Sequence, residues 1–368
     1  MKIGGADLFF LDSRAAIQCA RRTHNDFDPT YRDVPQSPIE QSPWAIQGME
    51  FEETVMTYLT GLGGNSYADL RGLRFEEALP ATLEFMESGA AVLLGAALAS
   101  PETEHRKGRP DLLIRVGESS EGGFGYLPGD VKSHSLLSAS GQKTVLITPL
   151  ESLARGAPTQ VLSGIGPRSS HRQNDLMQLA HYWRMLEALD YASTRGPMGG
   201  LIGPDTFERD SPFLVWQQLD EPFVTTFSRS RGTAVRTALE RYDHEFGFRV
   251  DIAEVALVQD RPDAPEPLVR PIIVNECDSC PWHEVCLEEL GESDPSVHVH
   301  SGRLSVREWN ALRKVGIVTA EQVASLSLDD PVLDGYWPEI DISAGRARSR
   351  LEAAIARVQM SRAGEVLR

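Results

Sequence analysis

The chain has 368 residues, of which 41% are hydrophobic, and its 53 acidic and 36 basic residues give a formal net charge of −17 at pH 7. This length allows about two or three domains with buried cores, and no apolar run reaches the roughly eighteen residues that span a bilayer. The acidic balance argues against a general nucleic-acid coat protein but is compatible with an enzyme that has a local basic channel.

The N-terminal residues favour a cytoplasmic location and predict one short helix. Residues 1–7 lack the apolar stretch and the cleavage site of a signal peptide, and no membrane partner is expected. Further along, Asp12 and Ser13 form a predicted N-cap for a short helix that carries Cys19. Residues 32–43 contain three prolines and are predicted to form a loop.

Two helices and a strand are predicted between residues 44 and 98. Apolar residues recur at helical spacing over residues 44–62, and Gly63 with Gly64 ends the pattern. This helix also carries three acids that are typical of a solvated helix face, namely Glu50, Glu52 and Glu53. Residues 75–88 predict a second helix, and the apolar residues 91–98 predict a buried strand, with a helix as the alternative.

The next two apolar runs, flanked by Gly and Pro, predict adjacent strands that each carry an acid. Asp111 lies beside the first run and Asp130 beside the second, two residues before Lys132. Because alternate side chains share one face of a strand, Asp130 and Lys132 are predicted to point the same way, and strand pairing can bring Asp111 beside them. Two carboxylates and an ammonium suit Mg²⁺ or Mn²⁺ and a phosphodiester. The alternative is a hairpin with a solvated polar face.

A long connection follows over residues 133–172. It contains one apolar piece, residues 145–147, and ends in a basic group of Arg168, His171 and Arg172. A connection of this length beside a candidate site is typical of a lid or substrate guide, and a disordered insertion is the alternative.

The clearest predicted helix extends over residues 174–189, where apolar residues keep one face. Gln178 and Tyr182 stand one turn apart on one side of it, where they can present an amide and a phenol to one ligand. Strands are predicted at 198–202 and 213–219. A further predicted helix, about residues 231–246, precedes a proline-rich linker over residues 262–271.

Four cysteines form the second strong feature of the sequence. Cys277, Cys280 and Cys286 have the spacing C-x2-C-x5-C, and Cys19 lies far upstream. In a cytosolic protein, clustered cysteines favour metal or redox chemistry over structural disulfides. Four thiolates suit an iron–sulfur cluster and also a tetrahedral zinc ion, and the spacing leaves both open. Ordinary buried cysteines are the alternative.

The C-terminal region predicts helices with basic character. Residues 303–328 indicate two short helices joined at residues 315–319, with Thr319 as the N-cap of the second. This pattern resembles a helix–hairpin–helix, whose backbone N–H groups bind DNA phosphates; a plain helical pair is the alternative. Residues 344–368 carry six Arg against two Glu, a basic face consistent with phosphate contacts.

Taken together and in this order, the motifs resemble the RecB-type branch of the PD-(D/E)XK nucleases, over roughly Cys19 to Cys286. Within that branch the chain is similar to the iron–sulfur group, which includes the CRISPR-associated cluster-bearing exonucleases and the AddB nuclease domain. The matching motifs are Gly108-Arg109-Pro110-Asp111 for the acid strand, Asp130-Val131-Lys132 for D-x-K, Gln178-Leu179-Ala180-His181-Tyr182 for Q-x-x-x-Y, and Cys19 with Cys277, Cys280 and Cys286 for the one-plus-three cysteine clasp.

The resemblance implies an α/β fold with a restriction-endonuclease-like mixed sheet flanked by helices. It implies a nuclease domain with the cysteine clasp over residues 1–290, and the separate C-terminal helical pattern predicts a helical extension similar to a helix–hairpin–helix over residues 301–368. The implied function is Mg²⁺- or Mn²⁺-dependent cleavage of DNA, at single strands or ends, in repair, recombination or defence. A helicase or another repair or defence protein is the implied protein partner.

The resemblance also assigns roles to individual residues. Asp111 and Asp130 would hold the metal and Lys132 would position the attacking water. Gln178 and Tyr182 would contact DNA and complete the site. The four cysteines would hold a [4Fe–4S] cluster, with zinc as the alternative.

One motif departs from the family pattern. The family commonly places a metal-binding His after a Gly in its first helix, and Phe51 stands at that position here. We predict that Glu52 completes the metal site while Phe51 turns into the core; an ion pair between Glu52 and Arg109 is the alternative. Phe51 also favours the competing function, a catalytically inactive nucleic-acid-binding or adaptor protein that keeps the fold and the cluster.

Overall fold

The structure is a computed structural model that describes residues 9–36, 43–156, 158–207, 211–228, 232–340 and 344–364. The expectations for residues 1–7, for part of the proline loop (37–42) and for the end of the Arg-rich tail (365–368) lie outside the described residues. Within these described ranges, every helix is too short or too polar to cross a bilayer.

The described residues form helices and strands in alternating groups, as an α/β protein requires. The helices are α1 (Ala20–Phe27), α2 (Pro43–Gly63), α3 (Phe75–Glu87), α4 (Arg172–Ala188), α5 (Ala238–Ala256), α6 (His283–Leu290), α7 (Val306–Lys314), α8 (Ala320–Ala324) and α9 (Ala344–Arg362). The strands are β1 (Tyr67–Asp69), β2 (Val92–Leu94), β3 (Leu98–Ala99), β4 (Lys107–Gly108), β5 (Leu112–Glu118), β6 (Phe124–Val131), β7 (Leu137–Pro149), β8 (Gln160–Pro167), β9 (Met198–Phe207), β10 (Ser211–Gln218), β11 (Val224–Ser228) and β12 (Gly232–Arg236).

Contacts divide the chain into two compact units. The first comprises Met1–Ile17, Gln41–Thr226 and Val235–Val250, and the second comprises Gln18–Glu40, Phe227–Ala234 and Asp251–Arg368. All four cysteines therefore belong to the second unit together with the C-terminal helices. The boundaries predicted from sequence place them instead with the nuclease domain.

The first unit is built on an eight-stranded mixed sheet in the order β1-β2-β5-β6-β9-β10-β7-β8. β1 pairs with β2 and β6 pairs with β9 in parallel, and the other neighbours are antiparallel. A parallel pair needs a long crossover, and between β6 and β9 this crossover contains β7, β8 and α4. Helix α4 packs against β6 and β9. This confirms the predicted mixed α/β sheet flanked by helices.

The predicted elements with strong hydrophobic periodicity are found close to their expected positions. Helices α2, α3 and α4 and strands β9 and β10 agree with the sequence within a few residues at either end. The apolar residues 91–98 form the strands β2 and β3 in place of one continuous strand. The side chains of Leu112, Leu113 and Ile114 on β5 are all fully buried, as expected for a strand covered on both faces.

Two predicted helices begin later in the sequence than expected. A local side-chain hydrogen bond forms a turn before the first helix and an N-cap at the start of the second. Asp12 Oδ1 accepts hydrogen bonds from Arg14 N (2.8 Å) and Ala15 N (3.1 Å), so it caps a turn, and α1 begins only at Ala20. The helix expected from about residue 231 begins at Ala238. Thr237 Oγ1 accepts from Glu240 N at 3.0 Å as its N-cap.

The connection over residues 133–172 is ordered, so the disordered-insertion alternative is wrong for its described residues. Strand β7 pairs with β8 on one side and with β10 on the other. The sequence pattern missed this hairpin because most of its side chains are small or polar and exposed. Its backbone hydrogen bonds complete the sheet without a continuous apolar pattern in the side chains.

The C-terminal helices pack around their own core in the second unit. Trp309, Leu312, Val323 and Leu351 are among its buried side chains. Thr319 Oγ1 accepts from Gln322 N at 3.2 Å, which confirms that Thr319 caps the second of the two predicted short helices.

Part of the Arg-rich tail is engaged within this unit. Arg348 pairs with Asp329 at 2.6 Å and Arg350 pairs with Glu308 at 2.8 Å. These two guanidinium groups stabilise the helical packing and are only partly available for phosphate.

The close packing of the sheet predicts a defined effect of one substitution. A Cβ atom at Gly200 would lie 2.5 Å from both Cδ atoms of the fully buried Leu214. We therefore expect Gly200→Ala to lower the free energy of unfolding by about 1–3 kcal/mol through overpacking, as measured by urea denaturation. A Cβ atom at Gly141 would meet no atom within 4 Å. The matched control Gly141→Ala should stay within about 0.5 kcal/mol of wild type, and equal effects of the two variants would contradict this account.

Candidate active site and cysteine cluster

Two carboxylates meet where β5 pairs with β6. The antiparallel register sets Leu112 opposite Gly129, and this places Asp111, at the start of β5, beside Asp130, near the end of β6. Asp130 is 2% exposed. Asp111 Oδ2 accepts a hydrogen bond from the Val131 backbone N–H at 2.7 Å, which holds this carboxylate against the neighbouring strand.

Glu52 adds a third acid from helix α2. Burial raises the pKa of Asp111 well above its usual range, and the nearby charges of Asp130 and Glu52 raise it further. Burial also raises the pKa of Glu52, with the charge of Asp130 as the next cause. The charge of Asp130 thus disfavours ionisation of both Asp111 and Glu52, and a cation beside these carboxylates would be stabilised.

Lys132 supplies the positive charge within this group. Its ammonium pairs with Asp130 and donates a hydrogen bond to Gln178 Oε1 at 2.8 Å. Burial opposes the charge on Lys132, but the carboxylates of Asp130 and Asp175 outweigh it and raise its pKa. The ammonium is therefore held in place from two sides.

Helix α4 supports the site with a chain of hydrogen bonds. Gln178 Nε2 donates to the hydroxyl of Tyr182 at 3.2 Å. The Tyr182 hydroxyl lies 3.1 Å from both Ser13 Oγ and the Arg109 carbonyl oxygen. Tyr182 is 2% exposed, so in this structure its hydroxyl fixes Gln178 and the start of the acid strand from within the core.

Two residues that sequence reasoning passed over also lie at this site. Asp175 Oδ2 is 2.9 Å from His134 Nε2 and Asp175 Oδ1 is 4.0 Å from Lys132 Nζ. Burial raises the pKa of Asp175, although Lys132 and His134 act in the opposite direction. A signal was present in the sequence: Asp175 precedes Gln178 by three residues on one helix face, and His134 follows Lys132 by two.

Helix α2 carries Phe51 and the acids Glu50 and Glu52. Phe51 and Glu52 are both half-buried, whereas Glu50 is exposed. Arg109 donates hydrogen bonds to the carbonyl oxygens of Leu70, Leu73 and Gly95. The alternative ion pair between Glu52 and Arg109 is therefore absent among the described contacts, and the Glu52 carboxylate instead acts on Asp130 and Asp111.

The donor set is compatible with a magnesium or manganese ion. No group of three or more His, Cys, Asp or Glu side chains is arranged to hold a metal by itself in the part of the chain that the structure describes. Mg²⁺ usually binds through one or two carboxylates and takes its other ligands from water and substrate phosphate. Asp111 and Asp130 provide such a pair.

The four cysteines lie in the second unit, where residues near the N-terminus meet residues 272–290. None of the four forms a disulfide, and Cys277 and Cys286 are buried in a small apolar cluster with Trp282. The Cys19 backbone N–H donates to Glu276 Oε1 at 2.7 Å across 257 positions of sequence. This contact joins the segment that carries Cys19 to the segment that carries Cys277. Among the described residues no group of three or more cysteines is arranged to hold a metal, so the one-plus-three clasp stays a prediction.

Further contacts join the same two segments. Trp282 Nε1 donates to Asp26 Oδ1 at 2.6 Å, and Arg21 forms an ion pair with Glu289. Asn25 Nδ2 donates to Cys286 Sγ at 3.8 Å. The approach of Cys19 to the other cysteines is therefore supported by polar contacts that involve no metal.

The thiols share one electrostatic environment. Burial raises the pKa of Cys277 to about 11 and that of Cys286 to about 12, and the other thiols of the group add to both effects. Burial likewise raises the pKa of Cys280. Cys277 and Cys286 are buried, whereas Cys19 and Cys280 are partly exposed, and thiols in such surroundings become good ligands only when a cation offsets this cost of ionisation. Their chemistry fits an iron–sulfur cluster or zinc, and either assignment stays a prediction.

The sequence matches no protein-family model, and a search of the curated proteins finds no match. The chain is therefore defined by its fold and geometry. It is a mixed α/β protein with a partly buried Asp–Asp–Lys group on its sheet and four cysteines in a second unit, none of which forms a disulfide.

Helix α4 also generates a prediction about acid stability. His181 on this helix is fully buried, its Nδ1 lies 2.8 Å from the Tyr242 hydroxyl, and burial lowers its pKa to about 3. Between about pH 6.5 and 3 only the unfolded chain takes up this proton, so the free energy of unfolding falls as the pH is lowered through that window.

Lowering the pH from 7 to 5 should therefore cost the wild type about 2 kcal/mol through His181 alone. The variant His181→Gln lacks this group and should show a correspondingly shallower dependence of unfolding free energy on pH, measured by urea denaturation at several pH values. Identical slopes for the two proteins would show that His181 makes no such contribution.

Proposed function

We propose that this chain is a Mg²⁺- or Mn²⁺-dependent DNA nuclease of the RecB-like iron–sulfur group that acts on single strands or ends. The observation that carries the proposal is the convergence of Asp111, Asp130 and Lys132 on paired strands, with Gln178 and Tyr182 behind them on α4. The motifs resembled this family in linear order, and the distances are compatible with one site.

Each residue of this group has a role in phosphodiester hydrolysis. Asp111 and Asp130 would hold the metal, which when bound polarises the phosphate and activates a water molecule. Lys132 orients that water and stabilises developing negative charge, because its ammonium is fixed between Asp130 and Gln178. Tyr182 holds Gln178 in this orientation from the core.

A second candidate function is a catalytically inactive nucleic-acid-binding or adaptor protein. The observation that favours it is Phe51, which supplies no metal ligand where the family commonly has a His. Glu52, the next residue, offers a carboxylate in place of that missing ligand, because its carboxylate interacts with both Asp130 and Asp111. We therefore place catalysis first and make the role of Glu52 a direct test.

The proposal extends to the second unit. The four cysteine thiols would bind a [4Fe–4S] cluster, with zinc as the alternative, and so join residues 18–34 to residues 272–290. The capped helices α7 and α8 would contact DNA phosphates in the manner of a helix–hairpin–helix. A helicase or another repair or defence protein remains the proposed partner.

The catalytic proposal predicts a separation of cleavage from binding. Lys132→Ala should lower the rate of Mn²⁺-dependent cleavage of labelled single-stranded DNA by about 100-fold or more, because it removes transition-state stabilisation. DNA affinity should change little, since one Lys adds little to a footprint of many phosphates. Unaltered cleavage in this variant would remove Lys132 from the mechanism, and absence of cleavage by the wild type would favour the adaptor function.

Glu52 and Glu50 offer a matched pair on one helix for testing the metal site. Glu52→Gln preserves the shape of the side chain and removes a charge that interacts with Asp130. We expect it to weaken Mn²⁺ binding about tenfold in a titration, in line with the loss of one carboxylate near a metal. Glu50→Gln changes an exposed residue and should bind as wild type does; equal affinities for all three proteins would exclude Glu52.

The cysteine assignment predicts a visible chromophore. Protein purified without oxygen should be brown and contain iron and sulfide, and Cys286→Ser should lose both and unfold at a lower temperature, because ligation stabilises the folded state. Iron, sulfide and metal analyses with melting curves provide the measurement. Colourless protein with stoichiometric zinc would replace the cluster by zinc, and protein with neither would contradict the metal assignment.

A further inference from the structure

The nuclease site has a second polar group beside Lys132. The imidazole of His134 is half-buried, with 31% of its side chain exposed, and its Nε2 lies 2.9 Å from Asp175 Oδ2. Its Nδ1 has no hydrogen-bond partner in the described part of the protein. A ring that is held at one nitrogen and open at the other has the form of an oriented proton donor.

Asp175 connects this ring to the catalytic group. Its carboxylate is 6% exposed, with one oxygen toward His134 Nε2 and the other 4.0 Å from Lys132 Nζ. Lys132 and His134 therefore flank a single buried carboxylate on the first turn of α4. The ammonium and the imidazole therefore lie beside the same carboxylate, and the proposed function places the phosphodiester next to them.

The neighbouring His171 helps to define the position of the ring. Its imidazole contacts that of His134, with 4.6 Å between the ring centroids and a tilt of 36° between the ring planes. The backbone of His171 has φ = 64°, a conformation that is uncommon for residues other than Gly and that is maintained only when surrounding structure supports it. His134 is thus fixed by Asp175 at its edge and by His171 at its face.

From this geometry we propose that His134 is a further catalytic residue of the nuclease site, the donor of a proton to the leaving oxygen, and that Asp175 is its positioning residue. This inference rests on the proposed function. It assigns protonation of the leaving oxygen to His134, whereas Lys132 acts on the attacking water.

The proton balance of the step is simple. Water forms a new P–O bond and loses its proton to solvent, while the P–O bond to the leaving nucleoside oxygen breaks. Protonated His134 gives the proton on Nδ1 to that oxygen, which departs as a hydroxyl. The neutral imidazole, still donating Nε2–H to Asp175, then regains a proton from solvent and completes the cycle.

The test compares leaving groups that differ in their need for a proton. Single-stranded oligonucleotides are prepared with ordinary linkages and with sulfur in place of either bridging oxygen at one linkage, since a thiolate leaves readily without protonation. His134→Gln, which keeps a donor toward Asp175, should lower kcat about 100-fold on the ordinary oligonucleotide. On the oligonucleotide with sulfur at the leaving position it should lower kcat less than tenfold.

Two controls separate this role from a structural one. Lys132→Ala should lose activity on all the oligonucleotides, because it acts on the attacking side. His244→Gln, which changes an exposed histidine on α5, should cleave every oligonucleotide as wild type does. Asp175→Asn should follow His134→Gln in the dependence on leaving group, and melting curves verify that each variant is folded.

The outcomes distinguish the catalytic role of His134 from the nuclease function on which that role rests. Active wild type with equal loss in His134→Gln on every oligonucleotide, or with no loss on the ordinary one, would overturn the role of His134 and leave the nuclease assignment intact. Wild type that cleaves none of the oligonucleotides with Mn²⁺ would contradict the nuclease assignment, and with it the role of His134.

Discussion

The pairing of β5 with β6 is the constraint on which the candidate site depends. It brings Asp111 and Asp130 together in a largely buried place, where two negative charges are costly. The Val131 backbone N–H and the Lys132 ammonium offset part of this cost. A bound divalent cation would offset more of it. The fold therefore holds the two carboxyl groups close together. Ionising both is unfavourable without a cation and becomes favourable when one binds between them.

Helix α4 supplies the second layer of the site. Asp175, Gln178 and Tyr182 follow one another at helical spacing, so that one side of the helix meets His134, Lys132 and the core in turn. The same helix buries Leu179 and Leu186 completely. Because its position is set by this apolar packing, its polar side chains are held more firmly than side chains on a loop would be.

The second unit presents a comparable arrangement around sulfur. Segments that are more than 250 positions apart are joined by the Cys19–Glu276, Asp26–Trp282 and Arg21–Glu289 contacts. Closing such a long loop has a large entropic cost. The apolar surroundings also disfavour thiolates. The proposed metal centre, if it binds four thiolates, would compensate for both effects.

Sequence alone determined the elements with strong local signals. The periodicity of α2, α3 and α4, the two acid-bearing strands and the Thr319 cap were all predictable, because propensity, spacing and capping act over a few residues. Only the tertiary structure decided that β9 lies beside β6, that residues 137–167 close the sheet, and that Asp175 meets His134. Those contacts depend on backbone hydrogen bonding and packing between distant segments, which no local pattern records.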